Sequence, residues 1–262
     1  MDLKNKYGST CLITGASAGI GKAYAYKFAE LGLDLVLVAR REKELQDIKQ
    51  QLESAFNVQV HVCPVDLSDE GASRKVREFT NSNDLEVSIL INNAGFGTYA
   101  KFEDCALERE VDSIKVNCIA PVELSHLYLT SMLEKGKGAI INVSSVISFL
   151  PGAVFSVYKA TKSFDLLFSE SLHEEVKDRG IDVLAVLPTL TKTEFQVVSG
   201  LKSKKSLMER TPEQVVSSTL GALGKKAVVV DGLLANITVF LPRLLPRFLV
   251  RKIVRMAMPA PS

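Results

Sequence analysis

The chain has 262 residues, 47% of them hydrophobic, and a formal net charge of +2 at pH 7. This length and apolar content suffice for one large core, so we predict a single domain over residues 1–262. The small net charge gives no indication of a nucleic-acid partner. The N-terminus lacks a signal-peptide pattern, and no apolar run reaches the ~18 residues of a membrane span.

Short apolar runs alternate with longer amphipathic stretches along the chain. The runs are continuous apolar strings, which is typical of strands covered on both faces. The predicted strands are Thr10–Thr14, Leu35–Ala39, Val58–Val62, Ser88–Asn92, Ala139–Val143, Asp182–Leu187 and Ala227–Val230. The predicted helices cover residues 19–31, 41–55, 69–82, 107–134, 152–179 and 212–223. Strands that alternate with helices pair in parallel through right-handed crossovers, so we predict an α/β protein with a doubly wound, three-layer fold.

A glycine-rich segment, Thr14–Gly21, follows the first predicted strand and opens the first predicted helix. Glycines at this position let the backbone turn tightly and approach a pyrophosphate, and the helix N-terminus offers unpaired N–H groups to the phosphates. The segment therefore predicts a nucleotide site, with a merely tight connection as the alternative. The residues assigned to the site are Gly15, Ser17, Gly19, Ile20 and Gly21.

Two arginines, Arg40 and Arg41, follow the second predicted strand, where NAD-binding sites usually carry an acidic residue. A guanidinium suits a ribose 2′-phosphate by its charge and its bidentate geometry. We therefore predict that the cofactor is NADP(H) in preference to NAD(H). The alternative is that one arginine is a surface residue at a helix start, partly neutralised by Glu42.

Polar residues also follow the next two strands. Asp66 lies at the carboxyl edge of the third strand, where it could accept a hydrogen bond from an adenine amino group. The small residues of Asn92–Gly95 would let the backbone after the fourth strand approach a cofactor. Both features are also compatible with simple turn chemistry.

Tyr158 and Lys162 are four residues apart, with Ser145 thirteen positions upstream of the tyrosine. Residues at positions i and i+4 share a helix face, so the phenol and the ammonium are expected to point into the same space. A cation lowers the pKa of a nearby phenol from its usual ~10, which makes the tyrosine a usable acid or base. A half-buried tyrosine on a surface helix is the alternative.

In this order and spacing, Thr14–Gly21, Asn92–Gly95, Asn117, Ser145 and the Tyr158/Lys162 pair resemble the short-chain dehydrogenase/reductase family over about residues 8–232. The resemblance implies one Rossmann-type domain with a seven-stranded parallel sheet. It also implies a catalytic group, which comprises Asn117, Ser145, Tyr158 and Lys162.

The resemblance implies a role for each member of this group. Tyr158 donates a proton to a substrate carbonyl oxygen, and Ser145 orients that oxygen. Ser144 is adjacent, but the spacing to Tyr158 favours Ser145. Lys162 lowers the Tyr158 pKa and holds the nicotinamide ribose. Asn117 holds a water that links Lys162 to solvent; a plain polar residue in a helix interior is the alternative.

The resemblance further assigns cofactor contacts outside this group. Asp66 and Leu67 match adenine-side positions, and Asn93 matches another cofactor-contacting position. After the sixth strand the family commonly has Pro-Gly, whereas this chain has Pro188 followed by Thr189. The nicotinamide carboxamide is expected to meet Thr191 and Thr193.

The leading hypothesis is an NADPH-dependent carbonyl reductase that runs reversibly as an alcohol dehydrogenase. Its small-molecule substrate is expected to be an apolar ketone or aldehyde, because the predicted wall is apolar; that wall includes Phe149, Leu150, Val154, Phe155 and Phe195. Two alternatives remain: a non-catalytic nucleotide-binding scaffold and a membrane-peripheral interaction protein. A hydrolase is disfavoured because the chain has no Gly-x-Ser-x-Gly elbow.

A cationic amphipathic extension is predicted at about residues 233–262. Between Phe240 and Met258 it contains no acidic residue, and its cations are Arg243, Arg247, Arg251, Lys252 and Arg255. We predict a helix from about residue 244, because Pro242 and Pro246 argue against a start much before 246. Its apolar face can pack on the domain, on a partner subunit or on a membrane surface.

The four cysteines are scattered, which predicts free thiols and a reducing compartment. The three histidines are far apart in sequence, so no metal site is predicted. We expect a cytoplasmic location, with membrane-peripheral attachment as the alternative. The family resemblance implies a homodimer or homotetramer that packs through the helices at 107–134 and 152–179.

Overall fold

The structure, a computed structural model, describes residues 2–201 and 209–257. Seven parallel strands form one sheet in the order β3-β2-β1-β4-β5-β6-β7. The strands are β1 Thr10–Thr14, β2 Asp34–Ala39, β3 Val60–Pro64, β4 Val87–Asn92, β5 Gly138–Val143, β6 Ile181–Leu187 and β7 Val228–Val230. This is the predicted doubly wound Rossmann-type sheet, in which the strand order reverses direction beside β1.

Helices cover both faces of the sheet. They are α1 Leu3–Tyr7, α2 Gly19–Glu30, α3 Glu42–Ala55, α4 Ala72–Ser82, α5 Leu107–Ile114, α6 Ala120–Lys135, α7 Ser156–Val176, α8 Phe195–Ser199, α9 Pro212–Ala222, α10 Leu233–Leu244 and α11 Arg247–Ala257. A π-helical turn, Lys115–Ile119, joins α5 to α6, and short 3₁₀ turns occupy Phe102–Asp104, Val146–Phe149 and Lys177–Arg179.

The core consists of two main apolar layers, one on each side of the sheet. Cys11 and Ile13 of β1 face the layer built with α2, α3 and α9, while Leu12 between them faces the layer built with α4, α6 and α7. Every residue of β1 is buried. Burial on both faces explains why the strands are continuous apolar strings in the sequence.

Several boundaries differ from the predictions. The third strand begins at Val60, not Val58, because the Val58 N–H bonds back to the Phe56 carbonyl before pairing with β2 begins. The helix predicted at 152–179 begins at Ser156. Val154 and Phe155 have φ values of 55° and 53°, so the chain is left-handed there and cannot be helical. Helices α1 and α8 were not predicted because five residues are too few for a periodic pattern.

The cationic helix predicted from about residue 244 is α11, and an unpredicted helix, α10, precedes it. Helix α10 begins at Leu233 and contains Pro242 in its last turn. Helix α11 begins at Arg247, after Pro246, close to the predicted position. The side chain of Arg243 and residues 258–262 of the predicted extension lie outside the described part. No helix within the described residues has both the length and the apolarity needed to cross a bilayer.

Candidate functional site

A cavity of about 560 Å³ opens at the carboxyl edge of the sheet, in the crevice where the strand order reverses. Its volume lies within the range of small-molecule sites, and this crevice is where doubly wound folds bind ligands. The predicted site residues that line it are Gly15, Ser17, Gly19, Ile20, Arg40, Arg41, Asp66, Leu67, Asn93, Ser145, Tyr158, Lys162, Thr191 and Thr193. Gly21 and Asn117 lie behind this lining.

The glycine-rich loop is a cradle of bare backbone. Gly15 and Gly19 have φ values of 65° and 53°, a region that side chains disfavour. A Cβ on Gly15 would lie 2.9 Å from the Ala94 Cα, and one on Gly21 would lie 2.3 Å from the Gly15 carbonyl oxygen. Gly21 therefore shapes the loop from behind, and the first turn of α2, which has no side-chain cap, borders the cavity through Gly19 and Ile20. This arrangement fits a dinucleotide pyrophosphate.

Hydrogen bonds fix the loop to the end of β4. The Thr14 hydroxyl accepts from the N–H groups of Asn93 and Ala94, both at 3.0 Å. In return, the Asn93 side-chain amide donates to the Thr14 carbonyl at 2.9 Å. Asn93 thus holds β1 and β4 together at the crevice, which is a role that its sequence motif does not reveal.

Arg40 and Asp66 form one end of the cavity. The Arg40 Nη1 lies 3.4 Å from the Asp66 Oδ2, and the Arg40 side chain is 68% exposed. Burial raises the pKa of the Asp66 carboxyl, but hydrogen bonds from Ser68 and the charge of Arg40 outweigh it and leave that pKa below its usual value. Asp66 is therefore an ionised acceptor beside a mostly free guanidinium.

Arg41 is held more firmly than Arg40. Its Nε and Nη2 donate to the Ser17 hydroxyl at 3.2 and 3.1 Å, and its Nη1 lies 3.0 Å from the Glu194 carboxylate. The guanidinium thereby connects the glycine-rich loop to the segment after β6. The same segment contributes Thr193, whose methyl group would meet a Cβ on Gly19 at 2.9 Å.

A buried ion pair lies beside Tyr158. The Lys162 Nζ donates to the Asp165 carboxylate at 2.8 Å and to the Val143 carbonyl at 2.9 Å. The two charged side chains are only 5% and 4% exposed. Asp165 was not predicted, because a Lys-x-x-Asp spacing on a helix usually marks an ordinary exposed pair.

These charges act on Tyr158 in opposite directions. Burial is the largest effect and raises the pKa of the phenol; Lys162 lowers it, Asp165 raises it, and a hydrogen bond with Ser145 lowers it. Lys162 thus lowers the Tyr158 pKa, which is the direction predicted, but burial outweighs it. Asp165 also raises the pKa of Lys162 against the effect of burial, which keeps the ammonium charged.

The two adjacent serines have different environments. The Ser144 hydroxyl donates to the Lys162 carbonyl at 2.7 Å and so ties α7 to the end of β5. The Ser145 oxygen accepts from the Ile147 N–H at 3.3 Å, and its hydroxyl bonds the Tyr158 phenol at the cavity. Of the two, Ser145 is the serine that bonds the phenol, and its assignment to a ligand oxygen stays a prediction.

Asn117 lies in the π-helical turn and is fully buried. Its amide donates to the Phe96 carbonyl and the Thr161 hydroxyl, each at 2.9 Å, and its Oδ1 accepts from the Phe96 N–H at 3.1 Å. A Cβ on Gly95 would meet this Oδ1 at 3.0 Å and the Lys162 Nζ at 3.4 Å. The bare backbone of Gly95 therefore keeps a small gap between the two polar groups.

Aromatic rings surround the phenol. The ring centroids of Phe155 and Phe195 each lie 5.2 Å from that of Tyr158. Leu150 also lines the cavity, as predicted. Phe149 instead packs in the small apolar cluster with Leu166, Ala185 and Leu187, and Val154 is buried behind the lining.

Gly97 is a second unpredicted residue of the site. A Cβ at this position would lie 2.6 Å from the Cβ and Cγ of Tyr158, so the glycine makes room for the ring. Its backbone has no left-handed φ, and nothing in the local sequence distinguishes it from a turn glycine.

Within the described residues, no cluster of three His, Cys, Asp or Glu side chains is arranged to hold a metal ion. All four cysteines are unpaired, and Cys11 and Cys63 are buried.

The family model for short chain dehydrogenases matches residues 9–203 of the chain. Among curated proteins, the very-long-chain 3-oxoacyl-CoA reductase of Mus musculus is 31% identical over 246 residues, which cover 91% of this chain and 77% of the relative.

Solved structures resemble the whole fold. A 7β-hydroxysteroid dehydrogenase superposes with a TM-score of 0.89 at 28% identity, covering 97% of this chain and 99% of the other. A short-chain dehydrogenase from Sphingobium yanoikuyae, in complex with NADPH, superposes with a TM-score of 0.79 at 35% identity, covering 86% and 88%.

Two glycine substitutions should have opposite effects on stability. Gly97→Ala overpacks the Tyr158 ring and should lower the free energy of unfolding by about 1–3 kcal/mol. Gly221→Ala, at a position in α9 where the new methyl group meets no atom within 4 Å, should raise it by up to about 1 kcal/mol. Urea unfolding followed by circular dichroism measures both. Equal effects of the two substitutions would contradict the contact described for Gly97.

Proposed function

Because the chain belongs to the short-chain dehydrogenase family of oxidoreductases, which act on carbonyl and alcohol groups, we propose that it is an NADPH-dependent reductase of an apolar ketone or aldehyde. The reaction is reversible as an alcohol oxidation. The observation that carries the proposal is the convergence of Ser145, Tyr158 and Lys162 on one cavity with the glycine-rich cradle. A protein that only binds a nucleotide as a scaffold would not require these three side chains to meet at the cavity.

Each of these side chains has a distinct task. Bound NADPH supplies the hydride that the carbonyl carbon receives. Tyr158 donates its phenolic proton to the carbonyl oxygen, and the Ser145 hydroxyl hydrogen-bonds the same oxygen as negative charge develops on it. The Lys162 ammonium stabilises the resulting phenolate, and its third N–H donor is shared between the nicotinamide ribose and a water in the gap beside Gly95.

Proton replenishment is assigned to the gap beside Gly95. Lys162 Nζ and Asn117 Oδ1 border this gap, and a water there would accept a hydrogen bond from the ammonium and donate one to the amide oxygen. The Asn117 amide is engaged with Phe96 and Thr161, so it orients the Oδ1 rigidly. Asn117 thereby provides one end of a relay from Lys162 toward solvent.

The preference for NADP(H) rests on the charge at the adenosine end. Arg40 is mostly exposed there, and Arg41 is oriented by Ser17. No acidic residue follows β2 directly, and Asp66 is partly neutralised by Arg40. The NADPH in the Sphingobium yanoikuyae relative supports the same choice. Asp66 and Leu67 contact the adenine, while Thr191 and Thr193 contact the nicotinamide carboxamide.

The substrate half of the cavity is apolar. The side chains that enclose it are Val146, Ile147, Leu150, Phe155, Leu190, Phe195, Val198 and Leu201. Such a lining favours a long or bulky apolar carbonyl compound. A reductase of very-long-chain 3-oxoacyl-CoA and a hydroxysteroid dehydrogenase among the similar proteins support a fatty-acyl or steroid-like substrate.

Homo-oligomerisation is proposed through α5 and α7. Large apolar side chains are exposed on these two neighbouring helices: Leu107, Val111, Ile114, Phe164 and Leu167. A contiguous exposed apolar face of this kind indicates a subunit interface.

Loss of the phenol proton should abolish turnover without loss of cofactor. Tyr158→Phe should reduce kcat at least a hundredfold for NADPH-dependent reduction of apolar ketones and aldehydes, because the general acid is removed. NADPH affinity, measured by calorimetry, should stay within about threefold. Tyr128→Phe is the matched control, because Tyr128 is buried far from the cavity and bonds Thr80. Unchanged kcat in Tyr158→Phe would contradict the mechanism.

Removing one guanidinium should weaken the binding of NADPH without weakening that of NADH. A hydrogen bond to a charged group contributes about 1.5–3 kcal/mol, so Arg40→Ala, which removes the mostly exposed guanidinium, should weaken NADPH binding roughly 10–100-fold and leave NADH binding nearly unchanged. Lys43→Ala makes the same charge change on an exposed residue of α3 and should leave both unchanged. Calorimetric titration gives both dissociation constants, and an equal loss for NADPH and NADH would contradict 2′-phosphate recognition.

Asp165→Asn should shift the pH dependence of alcohol oxidation. Asp165 raises the Tyr158 pKa while Lys162 lowers it, so removing the carboxylate lowers that pKa. Oxidation requires the phenolate, and its rate should therefore reach half-maximum at a lower pH than in the native enzyme.

The measurement is kcat for NADP⁺ reduction across pH, with the exposed Asp178→Asn as a charge-matched control. Breaking a buried pair costs about 3–5 kcal/mol, so thermal unfolding must show that the variant is folded in the assay. A half-maximum that stays in place or moves to higher pH would contradict the proposed coupling.

A further inference from the structure

Helices α10 and α11 leave a large apolar surface uncovered. Seven apolar side chains between residues 237 and 256 are 36–69% exposed: Ile237, Phe240, Leu244, Phe248, Leu249, Ile253 and Met256. Ile237, Phe240 and Leu244 share one face of α10 by their spacing of three and four residues. Isolated exposed apolar residues are ordinary, but a contiguous group of this size indicates a binding surface.

The domain covers only part of the apolar face of α11. Val250 and Val254 are buried against it, at 4% and 5% exposure. Leu249, Ile253 and Met256 continue the same face, at spacings of four and three residues, and remain exposed. Packing on the enzyme's own domain therefore buries only part of the apolar face of α11, and the exposed apolar side chains remain available to a partner.

The charges on this surface all have the same sign. Arg247, Arg251, Lys252 and Arg255 are exposed, and none of them forms an ion pair with a described residue. No acidic residue occurs after Asp231. Phe248 lies among these cations, so aromatic and basic groups are interleaved on the outer side of α11.

We propose that α10 and α11 bind the surface of an anionic lipid bilayer. Helices with a basic face beside an exposed apolar face lie in the bilayer interface, where the apolar side chains enter the headgroup boundary and the cations meet anionic lipids. A second copy of this surface is a poorer occupant, because two-fold symmetry would bring eight like charges together without a counter-charge. The helices have 12 and 11 residues, a length suited to lying along the interface.

The position of the two helices relates the membrane to the cavity. Helix α10 packs against the Val146–Phe149 turn. In α11, the Val254 side chain lies so close to Gly152 that an added Cβ would approach it to 2.4 Å. The segment from Val146 to Gly152 that carries these contacts includes Ile147 and Leu150, which line the substrate half of the cavity. Membrane binding would therefore bring the apolar cavity wall next to the bilayer. An apolar carbonyl compound could then enter the cavity from the bilayer, and only this entry of substrate rests on the proposed function.

Vesicle flotation of the full chain tests the binding itself. The native protein should float with vesicles of mixed phosphatidylglycerol and phosphatidylcholine, bind vesicles of phosphatidylcholine alone at least tenfold more weakly, and lose affinity as salt is raised. Each cation near an anionic surface strengthens binding roughly fivefold, so Arg251→Glu/Lys252→Glu should reduce it more than tenfold. Leu249→Ser/Ile253→Ser should also weaken it, because the inserted apolar area is lost.

Arg74→Glu/Lys75→Glu is the matched control, because it makes the same charge change on exposed residues of α4 and should leave vesicle binding unchanged. NADPH titration and thermal unfolding of every variant separate loss of docking from loss of the cofactor site or the fold. The proposal would be overturned if the native protein failed to float with the vesicles, or if the control variant lost vesicle binding as strongly as Arg251→Glu/Lys252→Glu. A native protein that does not bind vesicles, together with a changed oligomeric mass in Arg251→Glu/Lys252→Glu, would overturn it in favour of a subunit interface.

Discussion

A buried ammonium determines how the cavity is assembled. Lys162 is almost fully removed from water, and an unpaired charge in such a place would be strongly destabilising. The end of β5 supplies the Val143 carbonyl, and α7 supplies Asp165 one turn after the lysine. Ser144 adds a bond from β5 to the Lys162 carbonyl. The need to solvate one charge therefore brings together the strand end that carries Ser145 and the helix that carries Tyr158.

The nucleotide half and the substrate half of the cavity are lined by chemically different groups. The nucleotide half consists of backbone and short polar side chains, since Gly15 and Gly21 leave no room for a Cβ. The substrate half consists of large apolar and aromatic side chains. Between them, Val154 and Phe155 adopt consecutive left-handed conformations that cost roughly 1–3 kcal/mol each. The packing of Phe155 against Tyr158 and Tyr99 stabilises this strained entry into α7.

Local patterns in the sequence were enough to predict the sheet, the glycine-rich loop and the lysine–tyrosine pair. Continuous apolar strings identified the central strands because both faces of these strands are covered. Asp165 and Gly97 were missed because their importance depends on contacts with residues distant in the chain or on burial that no local pattern reports. Helix α10 was missed because Pro242, which lacks the N–H that would bond one turn back, nevertheless lies inside its last turn.

The π-helical turn at Lys115–Ile119 changes the direction in which the side chains after it point around the helix axis. An α-helix advances about 100° per residue, so one inserted residue rotates everything beyond it by that angle. The extra residue lets Asn117 face Phe96 and Thr161 while Leu124, Tyr128 and Met132 of α6 still face the sheet. A regular helix of the same length would satisfy one of these orientations and misdirect the other. In this segment the number of residues is therefore constrained as strictly as their identity.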